Sequence, residues 1–277
     1  GFPVVLKPTI SWTDRSSSRL QPTEVINGRE AAATVERFLE AGAGALAQPW
    51  LSGTREGVTM FVVGGQVLAA CGHLAHRTSP ALGGVSAMRE STPLLPDIYE
   101  PARALVQAIG MQGVCEVEFR RDAASRPMLM EINTRLAGTI YNAVYSGVDF
   151  PLWIWRWASG EDLSHLTGPP PKYKTGVRTR WLRGDMRWLW DNGRRAGRPD
   201  SVSRARAWWL FGSEFLRTFH YDCMSLDDSG PALAECRHTV AAVRKSVRKV
   251  KGVSRVSGRR ARRGGGSIWP GDLGAPI

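Results

Sequence analysis

Two short acidic strands constrain the fold of this chain more than any other feature. Gly113-Val114-Cys115-Glu116-Val117-Glu118-Phe119 and Met128-Leu129-Met130-Glu131-Ile132-Asn133-Thr134-Arg135 follow the period of two expected of strands with one buried face. Between them, Asp122 to Pro127 are polar, small or proline residues that suit a hairpin connection. A turn centred between Ala124 and Ser125 predicts Glu118 opposite Glu131 and Glu116 opposite Asn133, with all four side chains on one face. Directly opposed Cβ atoms lie roughly 4.5–5.5 Å apart, where two like charges destabilise the pair. A bound cation reverses the sign of that interaction. Ligands that are all oxygen, with Arg135 two residues on, suit hard magnesium, or manganese, holding a polyphosphate rather than zinc. The alternative is an exposed hairpin edge carrying ordinary surface acids.

The 277 residues can hold one large domain or two modest ones. No run of 18 uncharged apolar residues suggests a membrane span. The richest stretch, Ala143 to Ala158, is interrupted by Asp149, Pro151 and Arg156. No signal peptide is visible, the first methionine is Met60, and Gly1-Phe2-Pro3 leads straight into a strand-like run. The chain therefore reads as one that has lost its beginning. Cys71, Cys115, Cys223 and Cys236 are scattered without CxxC pairs, which points to a reducing, cytoplasmic setting and away from zinc. The net charge of +12 is uneven, because eleven Lys or Arg and no acid fall between Arg237 and Arg263. The remainder is close to neutral.

Phe2 to Leu6 reads as a strand ending at Lys7-Pro8, and Thr9 to Gln21 as a polar, mobile loop containing Trp12. A helix is predicted from Asn27, whose side chain can cap it. Ala45 to Gln48 is a further strand candidate. Val58–Val63 and Gln66–His73 flank Gly64-Gly65, a short-hairpin signal. Asp97 to Met111 reads as a helix if Pro101 falls in its first turn. Asn142 to Ala158 reads as an apolar helix or helix pair. The sequence changes character at Gly160 and again at Gly168-Pro169-Pro170-Pro171. Residues 172–236 then interleave five tryptophans with arginines. The order of elements predicts an α+β fold with mainly antiparallel pairing.

Gly1-Phe2-Pro3-Val4-Val5-Leu6-Lys7-Pro8, then Gln48-Pro49-Trp50-Leu51-Ser52-Gly53-Thr54-Arg55-Glu56, then Glu118 and Glu131-Ile132-Asn133-Thr134-Arg135, together resemble the ATP-grasp superfamily. The resemblance is to its carbamoyl-phosphate-synthetase-like and carboxylate–amine ligase branch, and it spans about residues 1–158. It implies the ATP-grasp fold, with ATP between two α+β subdomains. Lys7 matches the phosphate-contacting lysine at a strand end. Gln48, Trp50 and Leu51 match the adenine hinge, with Pro49 replacing a common glutamate, and Glu56 matches the ribose-binding acid. Glu118, Glu131 and Asn133 match the metal ligands, and Arg135 the residue that stabilises charge on the transferred phosphoryl group. Arg77 with Gly83 and Gly84 matches a loop near the acceptor or phosphates. Glu116 matches no ligand, and Ser11 to Ser18 lacks the glycines usual in the phosphate-closing loop.

The resemblance implies an ATP- and Mg2+-dependent ligase, with Mn2+ as a substitute metal. Such an enzyme activates a carboxylate as an acyl phosphate for attack by an amine or another nucleophile. In such proteins an α/β domain and the first part of the nucleotide lid come earlier, so this chain reads as N-terminally truncated. Residues 1–50 read as the remainder of the small lid subdomain and 51–160 as the large subdomain with the metal hairpin. Residues 161–236 read as a helical Trp/Arg-rich extension and 237–277 as a basic, partly disordered tail. Val240, Val243, Val247 and Val250 give the tail a basic amphipathic helix. Docking on the body, adsorption to an anionic membrane at its inner face, and weakly supported nucleic-acid binding stay open for it. The alternative function is a non-catalytic or peripheral-membrane protein that keeps the nucleotide fold.

Overall fold

The computed structural model describes residues 1–81, 84–163, 169–225, 227–237 and 239. Residues 1–222 form one compact unit and 223–277 a second. In the first unit, β1 (Val4–Pro8), β2 (Thr23–Val25) and β3 (Ala45–Pro49) make a small antiparallel sheet in the order β2-β1-β3. Helix α1 (Gly28–Glu40) packs on it through Phe38, which meets Leu6, Val25 and Ala43. Asn27 caps that helix as its sequence predicts, Oδ1 accepting from the Glu30 amide at 2.9 Å. The Glu30 carboxylate in turn accepts from the amide of Ile26, the residue before the cap, at 3.3 Å, which ties the entering chain to the first helical turn.

The large sheet has seven strands in the order β10-β9-β6-β5-β4-β7-β8. Its central members are β4 (Arg55–Val63), β5 (Gln66–Ser79), β6 (Val85–Thr92) and β7 (Gly113–Arg121), with β8 (Pro127–Asn133) at one edge. Gly64 and Gly65, at φ of 59° and 79°, join β4 to β5 in the left-handed geometry that a two-residue hairpin requires. Helix α2 (Pro96–Ala108) covers one face, where Ile98, Ala102 and Val106 pack against Val58, Met60, Cys115 and Val117. Pro101 lies beyond its first turn, contrary to the condition set by sequence, so the helix forgoes the bond from position 101 to the Asp97 carbonyl. The apolar segment near residue 150 is a helix pair, α3 (Ile140–Ser146) and α4 (Phe150–Ala158), separated at Gly147 with φ 104°. The pair covers the other face through Ala143 and Phe150 against Phe61, Cys71 and Val114. Burial pushes the Cys71 thiol up to about 12 and Cys115 up to about 11, so both behave as small core hydrophobes.

The Trp/Arg-rich extension is helical in α5 (Leu182–Arg194) and α6 (Arg204–Ser213). It also supplies β9 (Arg178–Arg180) and β10 (His220–Tyr221), which complete the large sheet. Helix α5 lies on the α2 side, where Asp185, fully buried, accepts from Arg77 Nε at 2.5 Å and from Arg180 Nε at 2.7 Å. The extension is therefore built into the large sheet. In the second unit, residues 230–237 are helical. The predicted valine-striped helix and basic tail, from Val240 onward, fall outside the described residues.

Candidate functional site

The acidic register is the one predicted, with Glu116 opposite Asn133 and Glu118 opposite Glu131. The chain reaches it by another route. The connecting loop is closed by Asp122, whose amide donates to the Arg126 carbonyl at 3.0 Å. Its Oδ1 accepts from the amides of Ala124 and Arg126, both at 2.9 Å. Arg121 pairs with Pro127 and Phe119 with Leu129, so the turn is centred on Ala124. A regular ladder from there would set Glu118 against Met130. Instead a bulge lies between Glu118 and Phe119, Met130 is the extra residue on β8, and Glu131 comes round to face Glu118.

Asn133 Nδ2 donates to Glu118 Oε1 and to Glu131 Oε1, each at 3.1 Å. Arg135 donates from Nη2 to Asn133 Oδ1 at 3.2 Å. Arg55, on neighbouring β4, donates to Glu118 Oε2 at 3.2 Å and from its other Nη to the Gly84 carbonyl at 3.3 Å. It ties the loop containing Gly84 to the acid pair. Behind Glu118, buried Glu116 accepts from the Thr139 hydroxyl, and His73 Nε2 lies 3.7 Å from it. The His73 ring crosses Gly57, where a Cβ would lie 2.5 Å from its Cε1. A side chain at position 57 would displace the ring.

Burial, and then the neighbouring Glu116 carboxylate, push the Glu118 carboxyl up to about 7, with Arg55 working against them. Glu116 is raised, chiefly by burial. His73 is driven down to about 4 by burial and is neutral at pH 7. No group of three or more His, Cys, Asp or Glu side chains set to hold a metal ion occurs among the described residues. The hairpin offers two facing carboxylates and one amide. Asn133 turns its NH2 toward both acids; rotating the amide by half a turn would present Oδ1 as a third oxygen. Two or three protein oxygens, completed by phosphate and water, fit magnesium.

The remaining predicted residues are distributed as follows. Lys7 and Gln48 share one face of the small sheet, since Lys7 pairs with Leu46 and Val5 with Gln48. Lys7 lies on β1 of the small sheet and Arg135 two residues beyond β8 of the large one. Trp50 lies under the Arg120 guanidinium at 4.8 Å. Its buried Nε1 has no partner in the structure, and Leu51 beside it is half-buried. Glu56 faces the α2 side, away from Glu118, and is held by Arg121 Nε at 2.8 Å and the Thr54 hydroxyl at 3.0 Å. Arg77 also faces that side, where Asp185 holds it at 2.5 and 2.8 Å. Gly83 lies outside the described residues. At Gly84 a Cβ would lie 2.1 Å from the Ser79 carbonyl carbon, so the close approach of the two backbones needs glycine.

Sequence reasoning placed Glu116 on the acidic face without giving it a role, and gave none to Arg55, His73 or Thr139. Glu116 was visible by alternation alone. Arg55 needed the non-local pairing of Gly57 with Glu118. It also passed over residues 195–200, which span the two sheets. Arg195 pairs with Glu24 of β2, Arg198 with Glu30 of α1 at 2.8 Å, and Asp200 with Arg120 of β7.

A small antiparallel sheet and a larger, mainly antiparallel one, with facing acids on the larger, are the architecture of an ATP-grasp protein. The chain belongs to the family described as ATP-grasp in the biosynthetic pathway with Ter operon, whose model matches residues 45–184. Among solved structures, it is similar to the L-amino acid ligase from Bacillus licheniformis, at 17% identity and a TM-score of 0.47, covering 60% of this chain and 41% of that one. A biotin carboxylase from Campylobacter jejuni is similar at 19% identity and a TM-score of 0.49, covering 64% and 41%. N5-carboxyaminoimidazole synthetase from Staphylococcus aureus is similar at 14% identity and a TM-score of 0.44, covering 64% and 44%. The chain spans about two-fifths of the length of these proteins. No curated protein matches it.

Proposed function

We propose that this chain carries the nucleotide and metal half of an ATP-dependent ligase. The observation behind this reading is the pairing of Glu118 with Glu131, bridged by Asn133 and flanked by Arg55 and Arg135, in a chain of the ATP-grasp family. Glu118, Glu131 and Asn133 would hold Mg2+ or Mn2+; the metal supplies charge neutralisation at the β- and γ-phosphates. Lys7 approaches the phosphates from the small sheet, and Gln48, Trp50 and Leu51 read the adenine edge. Glu56 meets the ribose by exchanging Arg121 and Thr54 for sugar hydroxyls. Gly83 and Gly84 belong to the acceptor loop, which Arg55 anchors. Arg77 supports that loop from β5 through Asp185.

An oxygen of the acceptor carboxylate bonds to the γ-phosphorus as the bond from phosphorus to the β–γ bridging oxygen breaks, giving an acyl phosphate and ADP. Arg135 stabilises the charge on the transferred group. An amine or other nucleophile then bonds to the acyl carbon. Inorganic phosphate departs with the C–O electron pair, and the nucleophile's proton passes to solvent. Calorimetric titration with ATP and magnesium tests the reading. The intact chain should bind, and Glu118→Gln with Glu131→Gln should weaken binding roughly 10–100-fold. Undiminished binding by that variant would reject the metal assignment.

A second reading, a protein that keeps the fold without turnover, is favoured by the engagement of Glu56 with Arg121. ADP release that depends on a candidate acid separates the enzyme from it.

A further inference from the structure

Helix α6 and the 3-10 turn after it, Glu214–Leu216, are fixed from beneath. Ala207 is buried, and the Arg180 guanidinium lies 4.4 Å from the ring centres of both Phe211 and Phe215. Glu214 is buried, paired with Arg178 at 3.2 Å, and accepts from the Thr218 hydroxyl at 3.0 Å. A segment held this firmly nevertheless turns large apolar side chains outward. Trp208 is 64% exposed, Trp209 60%, Leu216 83% and Phe219 80%. Four such side chains between residues 208 and 219 supply the apolar material of an interaction surface on this segment.

The charge around them identifies the occupant. From Ser203 to Phe219 the charged residues are Arg204, Arg206, Glu214 and Arg217. The three arginines are exposed, and the one acid is the buried, paired Glu214. The outward charge of the segment is therefore wholly positive. Arg217 also lies over the Trp209 ring, 5.9 Å from its centre. Indole rings settle at the headgroup level of a bilayer, while guanidinium groups pair with lipid phosphates and extend their stems along apolar surface. Each basic side chain near an anionic leaflet strengthens binding by about fivefold, and the same chain carries eleven more Lys or Arg between 237 and 263. No helix among the described residues is long and apolar enough to cross a membrane.

We propose that Trp208, Trp209, Leu216 and Phe219, with Arg204, Arg206 and Arg217, form a docking surface for an anionic phospholipid bilayer, on which the protein lies peripherally. This surface is independent of the acidic hairpin, so its test stands apart from that of the ligase reading.

The full chain is floated with phosphatidylcholine vesicles containing or lacking phosphatidylglycerol. It should float only with the anionic vesicles, and added salt should release it. Exchanging Trp208, Trp209, Leu216 and Phe219 for Ser, all outward-facing, keeps the basic tail and should weaken flotation by roughly tenfold or more with an unchanged circular dichroism spectrum. Exchanging Arg204, Arg206 and Arg217 for Gln should weaken it by about fivefold per charge. Flotation of the Ser variant at the level of the parent would overturn the proposal and assign binding to the tail. Preference for RNA over anionic vesicles would overturn it in favour of nucleic acid. Self-association lost in the Ser variant, without vesicle binding, would overturn it in favour of a second copy of the chain.

Discussion

Glu118 and Glu131 face one another across β7 and β8, and the Asn133 amide lies 3.1 Å from a carboxylate oxygen of each. Asn133 offsets part of the repulsion between the two acids while no cation is bound. Glu131→Gln should therefore stabilise the nucleotide-free protein by about 0.5–1 kcal/mol while weakening the binding of ATP with magnesium. Asn133→Asp should do the opposite to stability, and magnesium should recover the loss. Thermal unfolding with and without magnesium and nucleotide reads both effects.

Two groups on the acidic face give opposite responses to pH. Glu118, raised from 4.5 to about 7, favours the fold fully below 4.5 and loses that contribution as pH rises to 7. His73, lowered from 6.5 to about 4, favours the fold above 6.5 and loses that contribution as pH falls to 4. Each is worth on the order of 3 kcal/mol, and between about 4.5 and 6.5 they oppose one another, with Glu116, also raised by burial, adding to the Glu118 side. Stability to urea should therefore fall as pH rises through that window. His73→Asn should steepen that fall, and Glu118→Gln should flatten it.

The strap of residues 195–200 should divide unequally. Glu24 is buried, and Arg195 is its ion-pair partner. Arg195→Ala leaves that carboxylate uncompensated and should cost about 2–3 kcal/mol, which Glu24→Gln in the same chain recovers in part. The Arg198–Glu30 pair is solvent-facing, and Arg198→Ala should change stability little. Chemical denaturation of the three variants gives the comparison.

Asp185 is the shared carboxylate partner of two buried guanidinium groups, Arg77 and Arg180, between α5 and the sheet. Asp185→Ala should cost roughly 3–5 kcal/mol by stranding Arg77 and Arg180. Replacing all three with Leu, Met and Met should recover most of the stability. If the triple variant also retains nucleotide binding, the part played by Arg77 is structural.

The acidic hairpin was legible because period-two alternation and a loop of turn formers sit within one short stretch of sequence. The bulge was hidden, since apolar Met130 reads as an ordinary strand residue. Glu56 and Arg77 could not be assigned a face from sequence. Their orientation depends on β4 pairing with β7, and on β5 shifting register against β6 between Ala75 and Thr78. Both are long-range facts. Nothing in Arg178-Thr179-Arg180 marks a buried strand, because arginine is rarely buried without a partner. The partner of Arg180 is Asp185, and the docking of α5 was needed to see it. Pro101 in the second turn of α2 is a case of tertiary packing overruling local preference.

The extra residue on β8 changes what the hairpin can tolerate. Deleting Met130 would leave Leu129 opposite Phe119 and Glu131 opposite Glu118, a plain ladder with both acids still paired. Deleting Ile132, two positions on, would carry Asn133 to a place opposite Val117 and turn it to the far side of the sheet. Two deletions of equal size, separated by one residue, thus have opposite outcomes. In alignments of related chains, a gap at position 130 is compatible with an intact acidic face, whereas a gap at 132 marks a protein that keeps the acid pair and has lost Asn133 from beside it.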